Sequence, residues 1–207
     1  MTKKRPEPSV QRSSPPAGAS RGAAARWTAR FARNLLWAAP LTVLVWVLIT
    51  PFYNRFLAAS AESFVRLTEH PAQTRLDLRE GQYAVASRRD FGTRARDITR
   101  GRVTDCHFNL LLLGSLFLAV PKLTLSQRFG NLGWALLIAM FFHILLLSLL
   151  VKFTYATQMG DYSLAHYGPF ARNAYGLLTQ LMDLPFKFAL PLILWTVFYL
   201  RRVPRAA

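Results

Sequence analysis

Two stretches of the chain are apolar for longer than an ordinary strand or buried helix. Residues 35–53 form one and residues 129–151 the other, and in the second the only polar side chains are Asn131, His143 and Ser148. A bilayer core is crossed by about 20 apolar residues in a helix, and uncharged runs of 18 or more are read as spanning candidates. Residues 108–121 and 188–200 are shorter runs, ended by Lys122 and bracketed by Lys187 and Arg201. Lysine and arginine at such ends can snorkel, which extends the usable length by about a turn at each end. The pattern predicts an all-α integral membrane protein of about four transmembrane helices, at 34–56, 107–123, 129–155 and 184–200.

The polar segments between these runs have patterns of their own. In 57–106, Thr74-Arg75-Leu76-Asp77-Leu78-Arg79 alternates apolar with charged, and Gln82-Tyr83-Ala84-Val85 follows after Glu80-Gly81. Period-two alternation around a turn dipeptide predicts a small β-hairpin, too small to be stable without support. In 156–183, Pro169 suits a first helical turn, and Phe170, Ala174, Leu177, Leu178 and Leu181 follow at helical spacing on one face. With Tyr155, Tyr162, Tyr167 and Tyr175 nearby, this predicts an amphipathic helix in the membrane interface. Its apolar face would serve as an anchor or as a docking face for another membrane protein.

Charge settles less. The net charge is +16, and residues 1–33 hold eight Lys/Arg against the single acid Glu7. Rich in Pro, Ser, Ala and Gly, that segment has little to bury, and a disordered basic tail is expected, lying near anionic headgroups rather than on nucleic acid. Residues 201–207 make a second basic tail. Counted by side, Lys and Arg tie at thirteen each for a four-span layout. The first helix usually dominates orientation, and long loops translocate largely regardless of charge. Both termini are therefore expected in the cytoplasm of an inner-membrane protein, with 57–106 outside. The basic tail and first run also resemble the start of a secretion signal. Ala59-Ser60-Ala61 offers a cleavage pattern, but ten residues beyond Ile49 and past Pro51 and Arg55, so an uncleaved helix is expected.

Little in the chain points to chemistry. Asp105-Cys106-His107 draws attention, because a thiolate with a base can be a nucleophile. Neighbours on a helix do not face one another, which argues against a working pair. The four histidines (His70, His107, His143, His166) lack metal-ligand spacing, and no cofactor is expected. His143, alone in its apolar run, is expected to face the bundle and bond a neighbouring helix; the sharper alternative is a transport role. Ala135-x-x-x-Ala139 would let a helix approach closely. Lys152 and Asp161 are expected to pair at the end of the third span. The six arginines of 88–102 suit a solvated loop or an anionic partner surface.

One family shares this layout. The first helix, a β-containing loop with His70-Pro71 and Thr74-Arg75-Leu76, then Asn109-Leu110-Leu111-Leu112-Leu113, Tyr155-Ala156-Thr157-Gln158 and Leu190-Pro191-Leu192-Ile193-Leu194-Trp195 resemble the exosortase-associated membrane proteins, the exosortase H type in particular. The resemblance covers about 34–200 and rests on mostly hydrophobic motifs. It implies a non-enzymatic accessory or scaffold beside an exosortase-type sorting enzyme. The exosortases themselves carry separated cysteine, arginine and histidine residues on helices, a pattern this chain does not match.

Overall fold

The structure is a computed structural model that describes residues 17–89, 96–97 and 102–199. Residues 1–16 of the expected 1–33 tail, the expected tail at 201–207 and most of the arginine-rich stretch lie outside the described residues. Helix α1 is Ala17–Leu67, followed by strands β1 (Arg75–Arg79), β2 (Tyr83–Ser87) and β3 (Arg96–Asp97). Then come α2 (Val103–His107), α3 (Leu110–Ala119), α4 (Leu125–Thr157), α5 (Asp161–His166) and α6 (Pro169–Leu181), a π-helical turn at Met182–Phe186, and α7 (Lys187–Tyr199).

Among the described residues, three helical stretches are long and apolar enough to cross a membrane: Ala24–Leu67, Leu125–Thr157 and Pro169–Tyr199. Val103–Ala119 is a shorter apolar stretch, broken at Phe108 and Asn109. Leu41, Leu44, Leu48, Phe52, Phe129, Phe141, Leu192 and Val197 are among the large apolar side chains left exposed. Water-soluble monomers rarely present such contiguous apolar surface, whereas hydrocarbon would satisfy it.

Several boundaries differ from the sequence-based expectation. α1 begins at Ala17 rather than 34, so its first turns overlap the expected disordered tail. Ala24 and Ala25, strong helix formers, lie in those turns. It also runs through Pro40 and Pro51 to Leu67. α4 starts at Leu125 instead of 129, because Thr124 caps it: the Thr124 hydroxyl accepts from the Gln127 N–H at 3.3 Å.

The largest difference in layout concerns 156–183. The amphipathic helix exists, with Pro169 in its first turn, and it is continuous with the last apolar helix. It joins α7 through the π-turn, a wide turn that contains Pro185, a residue without an N–H. The α6–α7 rod runs antiparallel to α4 along its length. Gly176 lies against Phe153, the Thr179 hydroxyl bonds Leu149 O at 3.4 Å, and Asn131 Nδ2 bonds Tyr199 OH at 3.2 Å. Small residues face α4, while Phe170, Leu177, Leu178 and Leu181 point outward.

The predicted hairpin is present. Glu80 and Gly81 both have positive φ (53° and 70°), as a type I′ turn requires. Arg79 pairs with Tyr83 and Leu76 with Ala86 in an antiparallel ladder, and β3 pairs with β2. The outer edge of β1 is partly closed by α1, since Glu62 accepts from the Leu76 N–H at 2.9 Å.

The interior divides into two clusters. In the first, Leu57, Ala61 and Val65 of α1 meet Leu76, Ala84, Ala86, Val103 and Cys106, with Leu146 to Tyr155 of α4 completing it. In the second, Leu113, Phe117 and Val120 meet Ala135, Ala139, Leu194 and Tyr199. Ala135 and Ala139 are buried as the small-residue spacing predicts. α4 is the central helix: 44% of its apolar window is buried, against 11% for α1 and 17% for α6–α7.

Candidate functional site

Between the two apolar clusters lies a buried polar cluster that ties every long element together. His107 and His143 are both fully buried, with ring centroids 6.3 Å apart. His107 ends α2, at the helix break that also presents Asn109. His143 sits mid-way along α4, and α1 contributes Trp46, Tyr53 and Asn54.

The protonation pattern follows from groups that can only donate or only accept. Trp46 Nε1–H, a donor only, reaches His107 Nδ1 at 3.2 Å. His107 Nδ1 therefore accepts, and Nε2–H donates to Asn54 Oδ1 at 2.7 Å. Asn54 Nδ2 in turn donates to Gly81 O at 3.0 Å and to Thr104 Oγ1 at 3.2 Å. Likewise Asn109 Nδ2 donates to Lys187 O at 2.9 Å, which leaves Asn109 Oδ1 to accept from His143 Nε2–H at 2.9 Å. His143 Nδ1 is bonded to Tyr53 OH at 3.0 Å. His107 is therefore a neutral Nε2–H tautomer, His143 carries a proton on Nε2, and both rings have both nitrogens engaged. Protonating His107 would set its new N–H against that of Trp46.

At one edge of the cluster Lys187 Nζ pairs with Asp183 Oδ1 at 2.6 Å and lies 5.7 Å from the Phe108 ring centroid. The lysine is buried, and one helical turn separates it from its partner. The charge is thus neutralised on its own helix. Chemically the arrangement is a clamp. It fastens α1 to α2, α1 to α4, α4 to the α2–α3 junction, that junction to α7, and α1 to the hairpin turn. Each buried donor or acceptor left unpaired would cost about 1–3 kcal/mol.

A second polar cluster lies beyond it, around Glu69. Its carboxylate accepts from the Thr74 hydroxyl (2.6 Å) and N–H (3.1 Å), from Arg88 Nη1 (2.7 Å) and from Lys152 Nζ (3.5 Å). Because the Thr74 hydroxyl donates to Glu69, its oxygen accepts from Tyr155 OH at 3.0 Å. The Arg88 guanidinium lies 5.7 Å from the Tyr155 ring centroid and 5.4 Å from that of Tyr162. Burial alone would raise the Glu69 carboxyl, but the Thr74 hydrogen bonds and the charges of Lys152 and Arg88 outweigh it and hold it below the ordinary carboxylate value. Lys152 therefore pairs with Glu69 rather than with the expected Asp161.

Of the residues singled out by sequence, His143 sits where expected, bonded to neighbouring helices. Cys106 is 3% exposed and packed in the apolar cluster with Leu57, Ala61 and Val103, the setting of an inert cysteine. His70 and His166 are exposed and apart from the buried pair, with His166 stacked on Tyr162. No group of three or more His, Cys, Asp or Glu side chains could hold a metal ion among the described residues. Sequence reasoning missed Asn54 and Asn109 as cluster members; the available signal was an amide side chain at the edge of each apolar run. Comparison with known proteins finds no matching family model, no matching curated protein and no matching solved structure.

Proposed function

We propose that this chain is a non-enzymatic, integral membrane accessory or scaffold protein of the cell envelope. In this reading α1, α2–α3, α4 and α7 give four spans of the inner membrane, both termini are cytoplasmic, and the β-sheet with α5 and α6 forms a cap outside. Exposed Arg55, buried Lys187 and the hairpin turn bonded to Asn54 support an outer boundary of the hydrocarbon near their level. The sealed polar cluster supports a structural role: its imidazoles are spent on holding helices together.

One observation carries the partner. The outward face of α6 exposes Phe170 (87%), Leu177 (63%) and Leu178 (47%), and its register beside Leu149 and Phe153 puts it toward the sheet end of α4, beyond His143 and Lys187. An exposed apolar helix face at that end of the bundle supports an amphipathic contact with another envelope protein. The resemblance noted above makes an exosortase-type sorting enzyme the partner to test first. In mild detergent the chain should co-purify with a larger membrane protein. Phe170→Glu with Leu177→Glu should abolish that while leaving the thermal unfolding midpoint within a few degrees, because both side chains are already exposed. Recovery as a lone monomer in several mild detergents, or co-purification unchanged by the double variant, would overturn the reading.

A further inference from the structure

A groove of about 590 Å³ opens sideways between α1 and the first half of α4, floored by α3. One wall is the α1 face at Trp37, Leu41, Val45 and Ile49, and the other carries Phe129 and Leu136. The floor can lie deep because Gly114 brings α3 against Thr42. At the end near Asn34, where both long apolar runs begin, stands Arg128. Its Nη1 donates to Leu118 O at 2.8 Å, but its buried Nε has no hydrogen-bond partner among the described residues. At the inner end Trp46, Tyr53 and His107 close the groove with their polar atoms already bonded to one another and to the clamp.

We propose that this groove is a specific site for one acyl chain of an anionic phospholipid, with the phosphate at Arg128. From Leu125 to Leu136 the α4 wall is about 17 Å long and apolar except at Arg128, a lining that suits a hydrocarbon chain. Chemistry selects its direction. The end at Tyr53 and His107, with its polar atoms paired, offers nothing to a polar group and receives a methyl terminus, while the Arg128 end offers a guanidinium, the side chain best suited to phosphate. The inference rests on the chain spanning a bilayer; recovery of the protein with the soluble cell contents would defeat that reading by itself.

The test is native mass spectrometry of the full chain after exchange into nanodiscs of phosphatidylglycerol, phosphatidylcholine or both, then release into detergent. The wild-type monomer should retain one lipid and favour phosphatidylglycerol about fivefold, the advantage one basic residue confers beside an anionic headgroup. Val45→Trp, which fills the groove from an exposed position and removes no hydrogen bond, should lower retention at least tenfold. Arg128→Gln should keep the lipid and lose the preference. Equal retention by wild type and Val45→Trp, with unchanged unfolding midpoints, would refute the site. A dimer that Val45→Trp converts to monomer would refute it too, by showing that a second copy covers the groove.

Discussion

Glu69 is the residue at which the extramembrane reading is most exposed to measurement. It is one carboxylate facing two cations, all three nearly enclosed: the side chains of Glu69, Arg88 and Lys152 are 4%, 8% and 12% exposed. Glu69→Gln preserves shape and one accepting oxygen but leaves two buried positive charges facing each other. Breaking a buried pair by removing one partner costs about 3–5 kcal/mol. For a chain of this size that lowers the unfolding midpoint by roughly 6–20 °C. Lys152→Met is the discriminating control. It removes the more distant cation, at 3.5 Å against 2.7 Å for Arg88, and keeps the Glu69–Arg88 pair, so its cost should be well below that of Glu69→Gln. Arg88→Met should fall with Glu69→Gln, and the Glu69→Gln/Arg88→Met double variant should cost far less than the sum. The acid arm adds a sign. With its carboxyl held below the ordinary value, native Glu69 binds fewer protons than the unfolded chain as pH falls. Its stabilisation is complete above the ordinary carboxylate pKa of about 4.3 and is lost as pH falls through the depressed native value. Glu69→Gln should flatten that part of the stability curve. Thermal unfolding in detergent, followed by circular dichroism, reads all of this. A cost for Lys152→Met equal to that of Glu69→Gln, or a cost for Glu69→Gln below about 1 kcal/mol, would refute the reasoning.

Three further outcomes follow from the packing. Gly114→Ala would place a Cβ 2.6 Å from Thr42 Cγ2, so it should cost about 1–3 kcal/mol by overpacking, and Thr42→Ser should recover most of the loss. His143→Leu strands Tyr53 OH and Asn109 Oδ1, and about 2–5 kcal/mol should be lost; a midpoint within a degree of wild type would show that the clamp bears no weight. Cys106, 3% exposed, should react with a membrane-permeant maleimide only as fast as the protein unfolds, and Cys106→Ser should leave any co-purifying partner in place.

Much of this architecture is written in local pattern. The hairpin was legible because a Glu-Gly dipeptide separates two alternating segments, and Gly81 takes positive φ readily. The face of α6 was legible because its spacing repeats every three to four residues. Which way that face points was not: period alone cannot distinguish a stripe that meets α4 from one that points away, and it is Gly176 and Thr179 that make the contact. The polar clamp was half legible. A histidine inside an apolar run must find a partner, so His143 announced itself. Its partners Tyr53 and Asn109 are 90 and 34 residues away, and no local rule links them. The pairing of Lys152 with Glu69 was hidden for the same reason, whereas Asp161, nearer in sequence, was the obvious and mistaken choice.

Pro40 and Pro51 give α1 a mechanical character. Each lacks an N–H, so the carbonyls of Leu36 and Val47, four residues back, lose their helical partners. The two prolines are eleven residues apart, about three turns, so both weak points fall on one side of the helix and their bends add rather than cancel. Phe31, before the first, packs with the cluster around Phe117 and Tyr199; Leu57, Ala61 and Val65, after the second, pack with the cluster around the sheet. α1 therefore reaches both apolar clusters, with its two prolines on one side of the helix between the turns that pack in each.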